Sequence, residues 1–190
     1  TMELVLVGFL FALFVGIPMG IYSAKKNGKM LDHATRFFSI GAVSLPTFWV
    51  AMVFQLVFYR ILNWLPLGGR MSINASLLYE IPNVTGMLII DCILTGSWEL
   101  LGDAFVHIIM PGFTIALYPI GLVARMTRSA LLEILNEDYI TASKSYGIRE
   151  GKVLWRYALK NSLGATATVV ALSMGYSLTN TFLTETIFSW

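Results

Sequence analysis

The chain has 190 residues, of which 56% are hydrophobic and 13% are charged, and its formal net charge is +2 at neutral pH. Soluble domains carry about 25% charged residues, so this composition excludes an ordinary soluble domain. The small net charge gives no reason to expect a nucleic-acid partner. The single cysteine, Cys92, allows no internal disulfide, and no His/Cys cluster predicts a metal site.

Four segments lack Asp, Glu, Lys and Arg over about 20 residues or more, which as helices would cover the roughly 30 Å hydrocarbon core of a bilayer. They predict an all-α, polytopic membrane helix bundle with about four transmembrane helices. The alternative, buried helices of a large soluble protein, would need polar partner elements that this chain is too short to supply. The predicted membrane helices are residues 4–24, 37–59, 104–124 and 161–184.

The basic residues predict the orientation of the chain in the membrane. Four of the thirteen lie in residues 25–36 and seven in residues 125–160, so the positive-inside rule places both connections in the cytoplasm. Residues 60–103 contain Glu80, Asp91, Glu99 and Asp103 and fit the outer side. The first segment then starts outside without a basic leader, and the chain stops at "TETIFSW" just past the fourth segment, so we expect a chain trimmed at both ends from a longer membrane protein.

The first segment contains "GIPMG", residues 16–20, near its inner end. This motif indicates either a close helix contact or a bend, although Gly and Pro are common in membrane helices in any case. In the second segment, Pro46 predicts a kink whose freed backbone groups Ser44 or Thr47 could satisfy. Trp49 and Gln55 follow, and they fit either a cavity wall or packing between helices.

The outer connection, residues 60–103, is apolar but repeatedly interrupted by acidic residues, so it predicts interfacial or re-entrant helix. His107 opens the third segment and is expected to be a packing residue rather than a ligand. The fourth segment is rich in small residues that permit close helix packing. Its polar outer half, which includes Thr181 and Glu185, should face protein or a water-filled path. The candidate path residues are Trp49, Gln55, Tyr118, Asn180 and Thr184.

Residues 125–160 change character and predict a folded cytoplasmic loop. "RMTRSALLEILNED" can extend the third helix, and a short helix "YITASKSY" can then begin at Glu137 or Asp138 and stop at Gly147. A helix of about nine residues is marginal in water, so it needs something to dock on. The following "IREGKVLWRYALK" predicts an amphipathic helix. Its apolar face consists of Val153, Leu154, Tyr157 and Ala158.

The stretch "RMTRSALLEILNEDYITASKSYGIREGKVLWRYALKNSL" resembles the cytoplasmic EAA region of permease subunits in ABC importers. The similarity is closest to the B-type permease of the dipeptide, oligopeptide and nickel branch. "SLPTFWVAMVFQLVFYRILNWLPLGGR", "TGMLIIDCILTGSWELLGDAFVHIIMPGFTIAL" and "TETIFSW" resemble the same branch in the same order. The resemblance therefore extends over nearly the whole chain, and it implies further helices before residue 4 and after residue 190.

In that family the short helix before the glycine docks in a groove of a cytoplasmic ATPase subunit. The chain departs from the family pattern in three places: Thr141 replaces a glutamate, Ser143 replaces an alanine, and the proline common after the loop is missing near Ala165. The resemblance implies a coupling helix and cap formed by Tyr139, Thr141, Ala142, Ser143, Lys144 and Gly147.

The resemblance implies a transmembrane importer subunit that is not itself an enzyme, lies in the prokaryotic inner membrane with several spans, and works by alternating access. Its expected partners are a homologous second permease, two cytoplasmic ATPase subunits, an extracytoplasmic solute-binding protein and the lipid bilayer. The chain has no GxxxxGK[ST] motif, so we expect it to bind no cofactor and expect ATP and Mg to be held by the ATPases. The solute would be a peptide or another small polar compound, with nickel and oligosaccharides as alternatives.

Two other functions fit the sequence less well. An ion-coupled secondary carrier or a channel would work without an ATPase, but such proteins usually place ionisable groups at mid-membrane, and the uncharged segments have none. An intramembrane enzyme would need a Ser/His pair, paired aspartates or an HExxH motif within the segments, and none occurs there.

Overall fold

The computed structural model describes residues 1–79 and 84–190, so Glu80, which supported the predicted orientation, lies outside the described residues. Every regular element in the described residues is helical, which confirms the all-α prediction. The helices are α1 (Met2–Lys25), α2 (Met30–Ser44), α3 (Thr47–Ile61), α4 (Ile73–Leu78), α5 (Leu88–Thr95), α6 (Trp98–Leu135), α7 (Asp138–Ser145) and α8 (residues 150–188).

Three of these helices contain π-helical stretches that the sequence did not predict. They are Ala12–Gly16 in α1, Gln55–Ile61 at the end of α3, and Val153–Ala158 near the start of α8. A π turn admits one extra residue per turn and therefore rotates the faces of the helix before and after it. After such a stretch, α-helical spacing alone therefore assigns side chains to the wrong face of the helix.

Length and composition identify two helices in the described residues that could cross a membrane, α1 and α6. The broken pair α2 and α3 supplies a third candidate if it is counted as one span. The 30-residue helix Leu159–Phe188 within α8 is long enough, but it is not among these candidates because its Gly, Ser, Thr and Asn residues lower its mean hydropathy. Its predicted crossing at residues 161–184 stays a prediction.

The predicted segment 37–59 is not one continuous helix. Pro46 has an extended backbone, with φ −61° and ψ 131°, and it separates α2 from α3. The kink expected at this proline is thus confirmed, and it is a complete break because proline lacks an N–H and disfavours helix in the residue before it. Ser44 donates its hydroxyl to the Ile40 carbonyl at 2.8 Å, whereas the carbonyl that loses its N–H partner at Pro46 is that of Ala42, so the predicted role of Ser44 or Thr47 at the break stays a prediction.

The third predicted segment, residues 104–124, is the middle of a much longer helix. α6 contains 38 residues and is therefore about 57 Å long. His107 lies inside this helix and does not open it, which corrects the predicted start. The predicted extension through "RMTRSALLEIL" is confirmed, since α6 continues to Leu135.

The chain forms two compact units. The first comprises Thr1–Leu10, Leu45–Ala116 and Tyr176–Trp190, and the second comprises Phe11–Ser44 and Leu117–Gly175. Apolar clusters in the first unit include one around Leu4 and Ile108 and another around Met110 and Phe188. The core of the second unit gathers buried residues of α1, α6, α7 and α8, which are Ile21, Ala24, Leu131, Ile140, Val153, Leu154 and Ala158.

In the second unit the "GIPMG" motif makes a close helix contact. A Cβ atom added at Gly20 would lie 2.6 Å from the Thr127 Cβ and 2.7 Å from the Ala124 carbonyl oxygen of α6. No real side chain fits at such distances, so only glycine permits this approach. Of the two interpretations considered for the motif, the helix contact is the one that the structure supports.

α8 buries hydroxyl groups and exposes large apolar side chains. Leu172 is 71% exposed and Phe182 is 70% exposed, whereas Thr181 and Thr184 are fully buried. This arrangement suits a helix whose outer surface meets an apolar environment. It also agrees with the expectation that the polar residues of the fourth segment face protein. The buried hydroxyl residues of α8 are Ser162, Thr166, Ser173, Ser177, Thr181 and Thr184.

Candidate functional site

The loop helix α7 forms where the sequence predicted it, beginning at Asp138 after an extended Glu137. Its single buried residue, Ile140, is fully buried in the core of the second unit. The expectation that so short a helix must dock is confirmed, but its anchor lies within its own chain. Burial of an aliphatic side chain contributes about 1.5–3 kcal/mol to the free energy of folding, which offsets the marginal stability of an isolated helix of this length.

The partners of Ile140 in that core come from three other helices. Ile21 belongs to α1, Leu131 to α6, and Val153 and Ala158 to α8. The predicted apolar face of the amphipathic helix is confirmed, because Val153, Leu154 and Ala158 are buried and Tyr157 packs partly buried against them. Close-packed interiors transmit displacement with little compression. A force on α7 therefore acts on the adjoining ends of all three helices.

The rest of α7 is a surface of mostly small side chains. Tyr139 is 40% exposed, and Thr141, Ala142 and Lys144 are exposed. Ser143 is half-buried and donates its hydroxyl to the Tyr139 carbonyl at 2.7 Å. That hydroxyl therefore bonds within the helix. The small side chains at residues 141–143 leave room for close approach by another protein, with the longer side chains of Tyr139 and Lys144 beside them.

Gly147 ends α7 in the left-handed conformation, with φ +75°. Its N–H donates to the Lys144 carbonyl at 2.9 Å, and the Ile148 N–H donates to the Ser143 carbonyl at 3.3 Å. These two bonds are those of a Schellman cap. The predicted glycine stop is confirmed, and its reason is steric, since a Cβ in this conformation costs about 1–2 kcal/mol.

A buried ion pair next to this core was not predicted. Asp32 on α2 is 1% exposed and accepts two bonds from Arg128 on α6, Nε to Oδ1 at 2.6 Å and Nη2 to Oδ2 at 2.9 Å. The Ser23 hydroxyl and the Gly28 N–H complete the shell at 2.7 and 3.0 Å. This network ties the connection between α1 and α2 to α6. Sequence analysis counted Arg128 only among the basic residues of the cytoplasmic connection, because no local pattern connects residues so far apart.

The candidate path residues are not gathered in one unit. Trp49, Gln55, Asn180 and Thr184 belong to the first unit, and Tyr118 belongs to the second. The Gln55 amide nitrogen donates to the carbonyls of Leu67 and Ile187 at 3.0 and 3.1 Å, and this is the role of a packing residue.

Of the remaining candidates, Trp49 is 46% exposed. The Asn180 amide donates to the Tyr176 carbonyl of its own helix at 3.1 Å. Thr184 is fully buried and its hydroxyl has no hydrogen-bond partner. Their role in a path stays a prediction.

His107 is the packing residue that the sequence predicted. It is 7% exposed, and its Nδ1 lies 2.8 Å from the Asp103 carbonyl oxygen of the preceding turn. Across residues 1–79 and 84–190, no three His, Cys, Asp or Glu side chains are grouped as metal ligands would be.

Comparison with known proteins shows which proteins the chain resembles in sequence. The chain is 37% identical over 190 residues to the dipeptide transport system permease protein DppB of Alkalihalophilus pseudofirmus, which it covers over 56% of its length. It is 40% identical over 190 residues to the probable D,D-dipeptide transport system permease protein DdpB of Escherichia coli, of which it covers 55%. It is also 34% identical over 193 residues to the putrescine export system permease protein SapB of Escherichia coli, of which it covers 59%.

Each of these alignments includes the whole of this chain, which spans somewhat more than half the length of the relatives that it matches. A family model described as "Binding-protein-dependent transport system inner membrane component" matches residues 16–190, a range that contains the loop helix, its glycine cap and the core on which it rests. This multi-pass chain therefore belongs to the family of inner-membrane components of binding-protein-dependent transport systems.

Proposed function

We propose that the chain is the core of the transmembrane subunit of an ABC importer, and that α7 couples it to a cytoplasmic ATPase. The observation that carries the proposal is the construction of α7, which is anchored by Ile140 and capped at Gly147 while Tyr139, Thr141 and Ala142 stay exposed. Such an element can receive a partner without rearranging its own fold. The family's description, an inner-membrane component of a transport system, supports a role for the chain in transport across that membrane.

The core around Ile140 suggests how movement would reach the membrane helices. ATP and Mg would be bound by two ATPase subunits, whose closure displaces α7. Because Ile140 packs with Ile21, Leu131 and Ala158, that displacement acts at once on the inner ends of α1, α6 and α8. Rigid-body movement of packed helices is an established route between two states of a cavity. Alternating access would follow when a homologous second permease moves in the same way.

The proposed class of solute is based on the names of the relatives, because the loop helix and its core do not indicate a solute. Two of the relatives compared above are named for dipeptide or D,D-dipeptide transport, and a third for putrescine export. We propose a small peptide delivered by an extracytoplasmic solute-binding protein. Uptake of labelled dipeptides by the reconstituted complex, in competition with nickel and oligosaccharides, tests this choice.

Ala142→Arg tests the coupling surface. Ala142 is exposed, so the change should leave the folded permease intact while a long charged side chain blocks close approach. In full-length permease reconstituted with its ATPases and binding protein, we expect ATPase stimulation and uptake to fall at least about tenfold, the equivalent of 1.4 kcal/mol. Met30→Arg, at a position 88% exposed, is the matched control and should retain both activities. Unchanged coupling in the Ala142 variant would refute the proposal.

Ile140→Ala tests transmission separately from docking. Removing this fully buried side chain should cost about 2–4 kcal/mol of local stability and loosen α7 from its core. We expect the ATPase to remain bound in pull-down assays, because the exposed face is unchanged, while uptake per ATP hydrolysed falls. Met30→Ala, at a position 88% exposed and outside α7, serves as the control. Full uptake in the Ile140 variant would show that this core does not transmit the movement.

A further inference from the structure

The second unit contains a cavity, lined by both polar and apolar groups, that the proposed function does not use. Its volume is about 410 Å³, and it lies between α2 and α6. The two helices touch at Gly121, where an added Cβ would lie 2.9 Å from the Ser39 carbonyl oxygen. This contact fixes their spacing beside the cavity. The residues that carry the argument are Arg36, Ser39 and Ile40 of α2 and Arg125, Arg128 and Ser129 of α6.

The cavity has an excess of positive charge. Arg128 is neutralised by its two bonds to Asp32. Neither Arg36 nor Arg125 takes part in an ion pair within residues 1–79 and 84–190. Arg36 and Arg125 are both exposed, so two guanidinium groups with planar donor arrays line the cavity from its solvent-accessible side without a carboxylate partner. Guanidinium groups of this kind favour phosphate and carboxylate oxygens.

Ser39 provides an independent sign that a ligand is expected. It is 3% exposed and lines the cavity, and its hydroxyl has no hydrogen-bond partner among the described residues. A buried hydroxyl without a partner destabilises a fold, so an unpaired one beside two free arginines calls for an acceptor. An oxyanion in the cavity would accept from both guanidinium groups, and from Ser39 after a rotation of its side chain turns the buried hydroxyl toward the cavity.

The sequence positions of the two arginines indicate which kind of molecule would supply that oxyanion. Arg36 directly precedes the predicted membrane segment 37–59, and Arg125 directly follows the predicted segment 104–124. Both arginines are thus at the expected depth of lipid headgroups on the cytoplasmic side. Next to Arg36, Phe37 is 83% exposed, and Ile40 at the cavity is 61% exposed. These apolar surfaces suit acyl chains.

We propose that this cavity binds the phosphodiester headgroup of one anionic phospholipid, with Arg36, Arg125 and Ser39 as the contacting groups and an acyl chain along Phe37 and Ile40. The site goes beyond the proposed transport function and needs neither an ATPase nor a solute. It would hold a structural lipid where α2 and α6 meet.

The test measures retained lipid on full-length permease taken from phosphatidylcholine nanodiscs with and without phosphatidylglycerol, by native mass spectrometry. We expect the wild type to retain phosphatidylglycerol in preference to phosphatidylcholine. Arg36→Gln and Arg125→Gln should each weaken this retention about fivefold, as expected for one basic residue at an anionic surface. Lys26→Gln removes an exposed charge from the same connection and should leave retention unchanged.

Ser39→Ala separates binding from folding. Removing an unpaired hydroxyl should leave the unfolding temperature unchanged or higher, yet weaken lipid retention about threefold. Inorganic phosphate is the second arm, and it should not displace the lipid at millimolar concentration. The proposal is overturned if Lys26→Gln acts as strongly as Arg36→Gln, if the three cavity variants all retain lipid normally, or if free phosphate replaces the lipid.

Discussion

Asp32 and Asp91 are both 1% exposed, but their carboxylates are satisfied in opposite ways. Asp32 is held by Arg128, which lies 96 residues away on another helix. Asp91 on α5 accepts N–H groups of Val84, Thr85 and Gly86 at 3.1, 2.8 and 3.0 Å, together with the Thr85 hydroxyl at 2.6 Å. All of these donors lie within seven residues of it.

This difference indicates which part of the fold each carboxylate stabilises. Asp32 connects two helices of the second unit, so its charge is matched only when those helices are assembled. Asp91 closes a local turn in the first unit through dipoles of its own neighbourhood. Loss of Asp32 should therefore weaken the whole second unit, and loss of Asp91 should loosen one connection.

The largest effect is expected for Asp32→Ala. The change leaves Arg128, which is 19% exposed at its side chain, without its acid and should lower the free energy of unfolding by about 3 kcal/mol. Denaturant unfolding of the full-length permease in nanodiscs measures this. Asp138→Ala removes an exposed acid from the first turn of α7 and should cost less than about 1 kcal/mol. Equal losses in the two variants would contradict a special role for Asp32.

A double variant sharpens the assignment. If the cost of Asp32→Ala arises from a stranded guanidinium, adding Arg128→Ala should recover about 1 kcal/mol even though another bond is lost. The same unfolding experiment, arranged as a double-mutant cycle, provides the coupling. Additive losses would mean that the two side chains stabilise the second unit independently.

Asp91→Ala should act locally. We expect amide exchange at residues 84–86 to accelerate about tenfold, because these N–H groups lose their acceptor. Exchange in α6 should stay unchanged and serves as an internal control in the same sample. Faster exchange throughout the first unit would show that Asp91 supports more than its turn.

The contrast between the two carboxylates also explains what sequence could predict. α7 and its stop at Gly147 were predicted because an acidic start, a short helix and a left-handed glycine are local signals. The break at Pro46 was predicted for the same reason. The family resemblance likewise depends on linear blocks, and the family was confirmed over residues 16–190.

The features that sequence missed depend on tertiary contacts or backbone registers. Arg128 was counted as one of many cytoplasmic charges, because nothing in its neighbourhood points to Asp32. The π stretches carry no residue signature, and one of them begins at Gln55, a proposed path residue whose amide turned out to bind backbone carbonyls. Ile140 was part of a quoted helix, yet its burial depends on the arrival of three other helices.

The smallest expected effect is a pH dependence confined to the Asp91 turn. Burial of Asp91 favours its neutral form, but the hydrogen bonds from Thr85, Val84 and Gly86 outweigh this and lower the pKa of the carboxyl. A lowered pKa in the folded state means that the turn is stabilised above the ordinary aspartate pKa of about 4, and that this stabilisation is lost as the pH falls through the folded value.

Amide exchange at residues 84–86, corrected for its intrinsic pH dependence, should therefore gain protection between acidic and neutral pH in the wild type. Asp91→Asn should show a flat profile at the same residues. If wild type and variant have the same profile at residues 84–86, the local dipoles do not hold a charged carboxylate there, and the contrast with Asp32 fails.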